Sequence, residues 1–210
     1  MANYFEMSRK ELAAEKAKLE ESYKKFQDMG LKLNMARGKP GPHQMDLAMG
    51  LLQMTDYTTD AGTDARNYGD LEGLHEAREL FADVMGVKPE EVFVGGNSSL
   101  QLMYNLISMG YSFGFPESPC PWSQVPNRKF LCPVPGYDRH FAITEEFGFE
   151  LISVPMSPTG PDMDMIEKLV AEDDTIKGIW CVPQYSNPDG YTYSDETIER
   201  FASMKTAAPD

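Results

Sequence analysis

Cysteine and histidine are scarce in this chain of 210 residues, which holds three of each. The cysteines, Cys120, Cys132 and Cys181, are odd in number and widely spaced. This spacing matches neither a disulfide framework nor the closely spaced ligand pairs of a zinc site. The sequence therefore predicts reduced thiols in a cytoplasmic protein, and it predicts no metal site.

Positive charge is also in short supply. The 19 lysines and arginines are outnumbered by 33 aspartates and glutamates, which gives a formal net charge of −14. A protein that binds nucleic acid or an anionic membrane surface needs the opposite balance, so we expect neither partner. No stretch of the sequence reaches the roughly 18–20 apolar residues of a membrane span. The charged segment from Met1 to Lys16 lacks the apolar core of a secretion signal.

Apolar residues make up 41% of the sequence, which is enough for a buried core. Beyond residue 70, short apolar runs that suit strands alternate with amphipathic stretches that suit helices. Strands are predicted at 92–95, 129–134, 150–154 and 178–182, and helices at 71–85, from 100, at 138–147, at 162–171 and after Ser194. This alternation predicts an α/β fold with a mostly parallel sheet that helices cover on both faces.

Two further helices are predicted nearer the N-terminus. Ser8 and Glu11 form a capping box at the start of the first helix, and Gly30 ends it. Its apolar residues form one narrow stripe, which indicates a surface helix, with a partner-binding helix as the alternative. The second helix is short and apolar, from Met45 to Met54.

The loop that follows the predicted strand at 92–95 has the composition of a phosphate site. It reads Gly95-Gly96-Asn97-Ser98-Ser99 and leads into a helix. Its glycines allow close backbone approach, while its hydroxyls and the helix N-terminus suit a phosphate. It lacks the lysine of a Walker loop and the spacing of a dinucleotide-binding fingerprint. A tight turn with a serine N-cap is the alternative interpretation.

Two further loops follow the strands at 129–134 and 178–182, where ligands of parallel α/β sheets bind. In Pro135-Gly136-Tyr137 the tyrosine suits stacking on a planar ligand, and a buried tyrosine beside an aspartate N-cap is the alternative. In Asn187-Pro188-Asp189-Gly190 the side-chain amide of Asn187 suits a hydrogen bond to a ligand oxygen. A plain turn is the alternative there, since both dipeptides are common in turns.

The order and spacing of these three loops resemble those of the fold-type I pyridoxal-phosphate-dependent aminotransferases. Leu31 to Gly41 is similar to the family's access loop with its Gly-x-Pro, and residues 67–73, followed by Arg78, are similar to its Tyr-x-x-x-x-Gly-x-x-x-x-Arg segment. The sequence is most similar to the aspartate aminotransferases of the MocR-like branch. The resemblance matches the first half of a family member. It implies an N-terminal segment and the first part of the large domain, with a mostly parallel or mixed sheet flanked by helices.

The resemblance also implies a cofactor, pyridoxal 5′-phosphate, and a set of residues that bind it. The matching positions are Asn97, Ser98 and Ser99 for the phosphate, Tyr137 for stacking on the pyridine ring, and Asn187 for the 3′-oxygen of the ring.

Other matching positions imply a second subunit and a substrate site. Tyr68 would reach the phosphate bound to the neighbouring subunit, which implies a homodimer. Gly38 would lie by the substrate carboxylate, where its backbone allows close approach. Arg37 and Lys39 receive no role from the family motif, and we interpret them as solvated loop charges.

The implied activity is transfer of an amino group between an aspartate-like amino acid and a 2-oxo acid. In the family, the Schiff-base lysine, the aspartate that faces the pyridine nitrogen and the arginine for the substrate carboxylate all follow the Asn-Pro-x-Gly motif. They are therefore expected after Asp210, so we expect no catalytic residue in this chain and no activity of the chain alone. Residues 1–55 would belong to the small domain and residues 56–210 to the large, pyridoxal-phosphate-binding domain.

One departure from the family pattern and two alternative functions complete the interpretation. Asp189 stands where the family motif has threonine, a change that we expect the turn to tolerate because its geometry rests on proline and glycine. The same residues suit an aminotransferase-like ligand-sensing domain of a MocR-type regulator. They also suit another fold-type I enzyme, such as a lyase.

Overall fold

The structure is a computed structural model that describes residues 4–34 and 38–210. The chain divides into two compact units, residues 1–67 and residues 68–210. The assignment of residues 1–55 and 56–210 to a small and a large domain stays a prediction. None of the described helices is both long and apolar enough to cross a bilayer.

The first unit is built from short helical segments. A single 3₁₀ turn, Tyr4–Glu6, precedes helix α1 (Arg9–Asp28). The capping box predicted for α1 is confirmed, because the Ser8 hydroxyl accepts a hydrogen bond from the Glu11 amide at 3.4 Å and the Ser8 amide donates to the Glu11 carboxylate at 2.8 Å. No residue of α1 is buried, which fits a surface helix.

The helix predicted from Met45 to Met54 is wrong in its extent. Two short pieces take its place, helix α2 (Pro42–Asp46) and a 3₁₀ turn (Met49–Gln53). Neither piece contains a buried residue. Short helices without a packed face are only marginally stable in water. Neither segment therefore continues into a longer helix.

The second unit contains a four-stranded sheet in the order β3-β2-β1-β4 within the described part of the chain. The strands are β1 (Lys129–Val134), β2 (Glu150–Ser157), β3 (Gly160–Pro161) and β4 (Ile176–Ile179). β1 pairs in parallel with both β2 and β4, and β3 pairs antiparallel with β2. The predicted α/β fold with a mostly parallel, mixed sheet is confirmed.

Five helices accompany this sheet in the described residues of the second unit. They are α3 (His75–Met85), α4 (Ser99–Phe113), α5 (Asp138–Glu146), α6 (Met163–Glu172) and α7 (Asp195–Ser203). Side chains cap three of them, and in each the cap accepts a hydrogen bond from the backbone three residues on: Ser98 for α4, Asp162 for α6 and Ser194 for α7.

The core lies on both faces of the sheet. Successive residues of a strand point to opposite faces, so Phe130 and Cys132 of β1 pack in one cluster and Leu131 in the other. The first cluster includes Ile107 of α4, and the second includes Ile166 of α6. Helices therefore cover both faces, as predicted.

Two predictions for residues 71–95 are wrong. The stretch Val92–Gly95 has no strand partner among the described residues. Its described backbone bonds run to a turn and a loop: the Val92 amide donates to the Pro89 carbonyl at 3.2 Å, and the Val94 amide donates to the Glu72 carbonyl at 2.9 Å. The pattern of residues 71–85 predicts a helix capped by Asp70, but α3 begins at His75. Gly73 stands in between with φ +98°, a conformation that a helix does not contain.

The apolar face predicted for α3 is also wrong. The helix at 71–85 is predicted to point Leu74, Phe81 and Met85 inward. Leu74 is half-buried, but Phe81 and Met85 are 46% and 65% exposed. Ala82 is the buried residue of this helix. α3 packs mainly against the 3₁₀ turn Pro89–Glu91, which is too short to cover an apolar stripe.

Candidate functional site

A cavity lies at the carboxyl ends of the parallel strands β1 and β4. Its volume is about 20 Å³, far below the roughly 300–1,000 Å³ of complete small-molecule sites, so these residues form one wall of a site. The loop after β1, the segment after β4 and the end of β2 supply its walls. The lining residues include Pro135, Gly136, Tyr137, His140, Phe141, Met156, Trp180, Val182, Ser186, Asn187 and Tyr193.

The loop after β1 turns sharply into helix α5. The Val134–Pro135 peptide bond is cis. A Cβ atom at Gly136 would collide with the carbonyl oxygen of Pro133 and the ring of Phe141, so only glycine fits. Tyr137 is the N-cap residue of α5, half-buried on the cavity wall. Asp138 is therefore the first residue of the helix, so the aspartate N-cap of the alternative interpretation is wrong.

The loop after β4 folds back on itself through the buried residue Ser186. The Ser186 amide donates to the Tyr191 carbonyl at 2.8 Å, and the Ser186 hydroxyl accepts from the Tyr191 amide at 3.0 Å. The Asn187–Pro188 peptide bond is cis, and Gly190 has φ +71°. The turn thus closes with Asp189 exposed in the threonine position, and Asn187 lines the cavity from its rim.

The sheet brings Tyr137 and Asn187 together although 50 residues separate them in the sequence. Both line the same cavity, because the strands that precede them are hydrogen-bonded neighbours in parallel register. This is the pair of predicted cofactor residues that the structure unites.

Two rings of the cavity wall, His140 and Trp180, have no place in the sequence prediction. The imidazole of His140 stacks on the Trp180 indole, with ring centroids 4.9 Å apart and planes at 21°. Burial lowers the pKa of His140. The position of His140, three residues after Tyr137 on a helix, is a signal that could have placed it on the same face. Trp180 follows β4 directly, at the strand end where ligands bind.

Burial also shifts the pKa of two further titratable groups near the end of β4. It raises the pKa of Cys181 to about 12. Burial, followed by the charge of Cys181, raises the pKa of Tyr193 to about 12 as well. Both groups are therefore neutral at physiological pH. Over residues 4–34 and 38–210, no three His, Cys, Asp or Glu side chains gather as a metal site requires.

The loop ahead of α4 is separate from the lining of this cavity. Ser98 is the N-cap of α4, and its hydroxyl oxygen accepts from the Gln101 amide at 3.3 Å. Asn97, Ser98 and Ser99 are all exposed, and no acidic residue lies in the first turn. A Cβ atom at Gly96 would meet nothing within 4 Å. The serine N-cap interpretation is confirmed, and the first-turn amides of α4 still point out of the helix, as at any helix start.

The remaining predicted site residues lie elsewhere. Tyr68, the first residue of the second unit, is 97% exposed. Gly38 and Lys39 belong to the first unit and are exposed, and Arg37 lies outside the described residues.

In the part of the chain that the structure describes, no lysine lines the cavity. The two lysines of the sheet are engaged elsewhere. Lys129 pairs with Asp173 at 2.7 Å, and Lys177 pairs with Asp210 at 2.8 Å.

Known proteins are similar to this chain in sequence and in fold. The sequence profile of the aspartate amino-transferase family matches residues 7–210. An aspartate aminotransferase of Corynebacterium glutamicum is 48% identical over 197 residues, which are 91% of this chain and 45% of that protein. The crystal structure of an aspartate transaminase from C. glutamicum has a TM-score of 0.87 at 44% identity, covering 97% of this chain and 49% of that chain.

More distant structures share the fold alone. The α-aminoadipate aminotransferase of Thermus thermophilus has a TM-score of 0.56 at 21% identity, covering 80% of this chain and 40% of that one. The chain spans about half the length of the C. glutamicum relatives. The assignment to the MocR-like branch stays a prediction. Because the family profile matches almost the whole sequence and a relative of high identity has the same fold, the chain belongs to the aspartate amino-transferase family of fold-type I aminotransferases.

Proposed function

We propose that the protein to which this chain belongs is a pyridoxal-phosphate-dependent aminotransferase. It would move an amino group between an aspartate-like amino acid and a 2-oxo acid. The observation that carries the proposal is the juxtaposition of Tyr137 and Asn187 in one cavity at the carboxyl edge of the sheet. Support for an aspartate-like substrate comes from the C. glutamicum relative that is named an aspartate aminotransferase.

The residues of the cavity fit the ring of the cofactor. A planar pyridine that carries an oxygen substituent needs an aromatic face on one side and a hydrogen-bond donor near that oxygen. Tyr137 offers the aromatic face, and the side-chain amide of Asn187 offers the donor. The apolar walls suit a ring better than a hydrated ion, and the lining formed by the described residues contains no carboxylate to repel an anionic ligand.

The start of α4 fits the phosphate of the cofactor. Asn97, Ser98 and Ser99 are exposed at the N-terminus of a helix of 15 residues. Helix amides and the dipole of such a helix attract an anion locally, whatever the net charge of the chain. In this arrangement the chain holds and orients the cofactor, and the packed rings of the cavity keep water from one face of it.

The reacting groups would come from elsewhere in the protein. When bound, the cofactor withdraws electrons from the α-carbon of the substrate. The lysine that moves the α-proton, the aspartate at the pyridine nitrogen and the arginine for the substrate carboxylate are proposed to follow Asp210. Gly38 would adjoin the substrate carboxylate. Tyr68 would contact the cofactor phosphate of a second subunit in a homodimer.

The first experiment measures cofactor binding and amino transfer by the whole protein. With pyridoxal phosphate we expect a visible absorption band that borohydride abolishes, and release of a 2-oxo acid from aspartate. Cofactor binding without release of a 2-oxo acid from any amino donor would contradict the proposal and favour the sensor or the lyase. The 210-residue chain alone is expected to bind the cofactor weakly at best and to form no 2-oxo acid.

The second experiment tests the two residues that carry the proposal. Asn187→Ala should weaken pyridoxal phosphate binding about ten- to hundredfold, because a hydrogen bond to a charged group contributes about 1.5–3 kcal/mol. Gln184→Ala is the matched control, since Gln184 is an exposed amide of the same loop that does not line the cavity. Tyr137→Phe should keep most of the affinity, whereas Tyr137→Ala should lose it. Equal effects of the two amide substitutions would refute the assigned role of Asn187.

A further inference from the structure

Three aromatic rings stand in series along one wall of the cavity. The Trp180 indole stacks on the His140 imidazole, with centroids 4.9 Å apart. The His140 ring in turn meets the Tyr137 ring edge to face, with centroids 5.0 Å apart and planes at 88°. All three residues line the cavity. The His140 ring is therefore in contact with both of the others.

The inner end of the series is fixed in the core. Trp180 is 9% exposed, and its ring lies 5.2 Å from that of Phe130. Its Nε1 donates a hydrogen bond to the Thr144 hydroxyl at 3.1 Å. Thr144 is fully buried, and its hydroxyl donates to the Phe141 carbonyl at 3.1 Å. The threonine oxygen thus holds the indole in one orientation and is itself held by the helix backbone.

Helix α5 sets the spacing of these contacts. Tyr137, His140 and Thr144 are separated by three and four residues, so they lie on one face of the helix. Trp180 approaches that face from β4 and contacts both Thr144 and His140. One side chain, from the residue directly after β4, therefore contacts two positions that lie one turn apart on the helix that follows Tyr137.

We propose that Trp180, anchored by Thr144, is a positioning residue that fixes the ring plane of Tyr137 through His140. The inference rests on the proposed function in one respect, namely that Tyr137 stacks on the cofactor ring. A tyrosine held in one orientation loses no rotamer entropy when a planar ligand binds. Loss of the Thr144 hydroxyl leaves the buried indole N–H without an acceptor. The indole then tilts, which weakens its contact with His140 and, through His140, changes the orientation of the Tyr137 ring.

The test observes the Tyr137 ring directly, in the absence of ligand. The whole protein is labelled with 3-fluorotyrosine, and the ¹⁹F resonance of Tyr137 is assigned by its loss in Tyr137→Phe. Thr144→Val should move this resonance towards the position of free fluorotyrosine, and Thr144→Ser, which keeps the hydroxyl, should leave it in place. His140→Ala should move it as Thr144→Val does, whereas His75→Ala, at an exposed histidine of α3, should not.

Measurement of pyridoxal phosphate affinity in the same variants then tests whether the position of the Tyr137 ring affects binding. Thr144→Val and His140→Ala should weaken binding by roughly three- to tenfold, with Thr144→Ser and His140→Phe close to the parent. An unmoved Tyr137 resonance in Thr144→Val and His140→Ala would overturn the inference, and so would equal shifts in Thr144→Val and Thr144→Ser. A moved resonance with unchanged affinity would also overturn it. If the parent protein binds no pyridoxal phosphate, the proposed function fails, and the ¹⁹F resonance alone still decides whether the rings are coupled.

Discussion

The loops that follow β1 and β4 are held very differently from the loop ahead of α4. Tyr137 and Asn187 follow two paired strands. The His140 ring packs against Tyr137, and a hydrogen bond between Ser186 and Tyr191 closes the turn that contains Asn187. Ser98, by contrast, is exposed and follows a stretch that pairs with no strand in the described part of the chain. One region is a preformed wall, and the other is an open helix start.

This difference matches the two ends of the proposed ligand. A flat ring gains most from a rigid slot, because its binding depends on shape and on the orientation of one donor. A phosphate is held by amides, hydroxyls and the helix dipole, which act over a short range and need exposure to meet the anion. Substitutions that disturb the packing of the wall should therefore change stability more than substitutions at the exposed helix start, and a charge added at the helix start should act mainly on phosphate binding.

The largest expected effect lies in β4, beneath the wall. Lys177 and Asp210 form an ion pair whose side chains are 3% and 0% exposed. Burial raises the pKa of Asp210, but hydrogen bonds from Lys177, Ser118 and Trp122 outweigh it, so the net pKa is lowered. Lys177→Met should therefore cost about 3–5 kcal/mol of unfolding free energy, since it leaves a buried carboxylate without its counter-charge. Urea denaturation measures the change.

The control for this prediction is the second ion pair of the sheet. Lys129 pairs with Asp173, but their side chains are 24% and 29% exposed. Lys129→Met should cost about 1 kcal/mol or less, as pairs open to solvent do. Equal losses for the two lysine variants would contradict the view that the buried pair holds β4.

Two glycines compare the wall with the helix start more directly. Gly136→Ala should cost about 1–3 kcal/mol, because the new Cβ would strike the Pro133 carbonyl oxygen and the Phe141 ring. Gly96→Ala should change stability by less than about 0.5 kcal/mol, because nothing lies within 4 Å of its Cβ. Thermal unfolding of both variants decides the matter, and a Gly96→Ala variant as unstable as Gly136→Ala would show that the helix start is packed after all.

Ser98 separates capping from phosphate binding. Ser98→Ala should cost about 1 kcal/mol, because the Gln101 amide loses its acceptor. Ser98→Asp should keep the cap and the stability, since aspartate is an equally good N-cap. Its negative charge should nevertheless weaken binding of pyridoxal phosphate at least tenfold and leave binding of pyridoxal, which has no phosphate, unchanged. Equal losses for both ligands would contradict the phosphate role of this loop.

The smallest effect is a pH dependence at the wall. Burial lowers the folded-state pKa of His140, so between that pKa and the ordinary value the unfolded chain binds more protons. Stability from this group is present above the unfolded pKa and is lost as pH falls through the folded pKa. His140→Phe keeps a ring and should flatten the slope of stability against pH below about 6.5. Urea midpoints from pH 5 to 8 test this, and an unchanged slope would show that His140 does not titrate differently on folding.

Local signals predicted much of this fold. Ser8, Asp162 and Ser194 cap helices where the sequence places helix starts, because a cap needs only the three residues that follow it. β1 is predicted at its observed bounds because its apolar residues are buried on both faces. The juxtaposition of Tyr137 and Asn187 follows from loop order once the strands are parallel.

Contacts between segments that are distant in the sequence could not be predicted. Val92–Gly95 has the composition of a strand, but no described segment pairs with it, and a ladder requires a neighbour. The start of α3 depends on the positive φ of Gly73, where an added Cβ would lie 2.5 Å from Val94. The bond from Trp180 to Thr144 joins residues 36 positions apart. None of these contacts has a local sequence signal.

A crystal structure of the whole protein with bound pyridoxal phosphate tests the central claim most directly. We predict that the pyridine ring lies against Tyr137, with the Asn187 amide at the ring oxygen and the phosphate at the N-terminus of α4. A cofactor bound away from the cavity between the β1 and β4 loops, or a phosphate held far from Ser98, would contradict this claim.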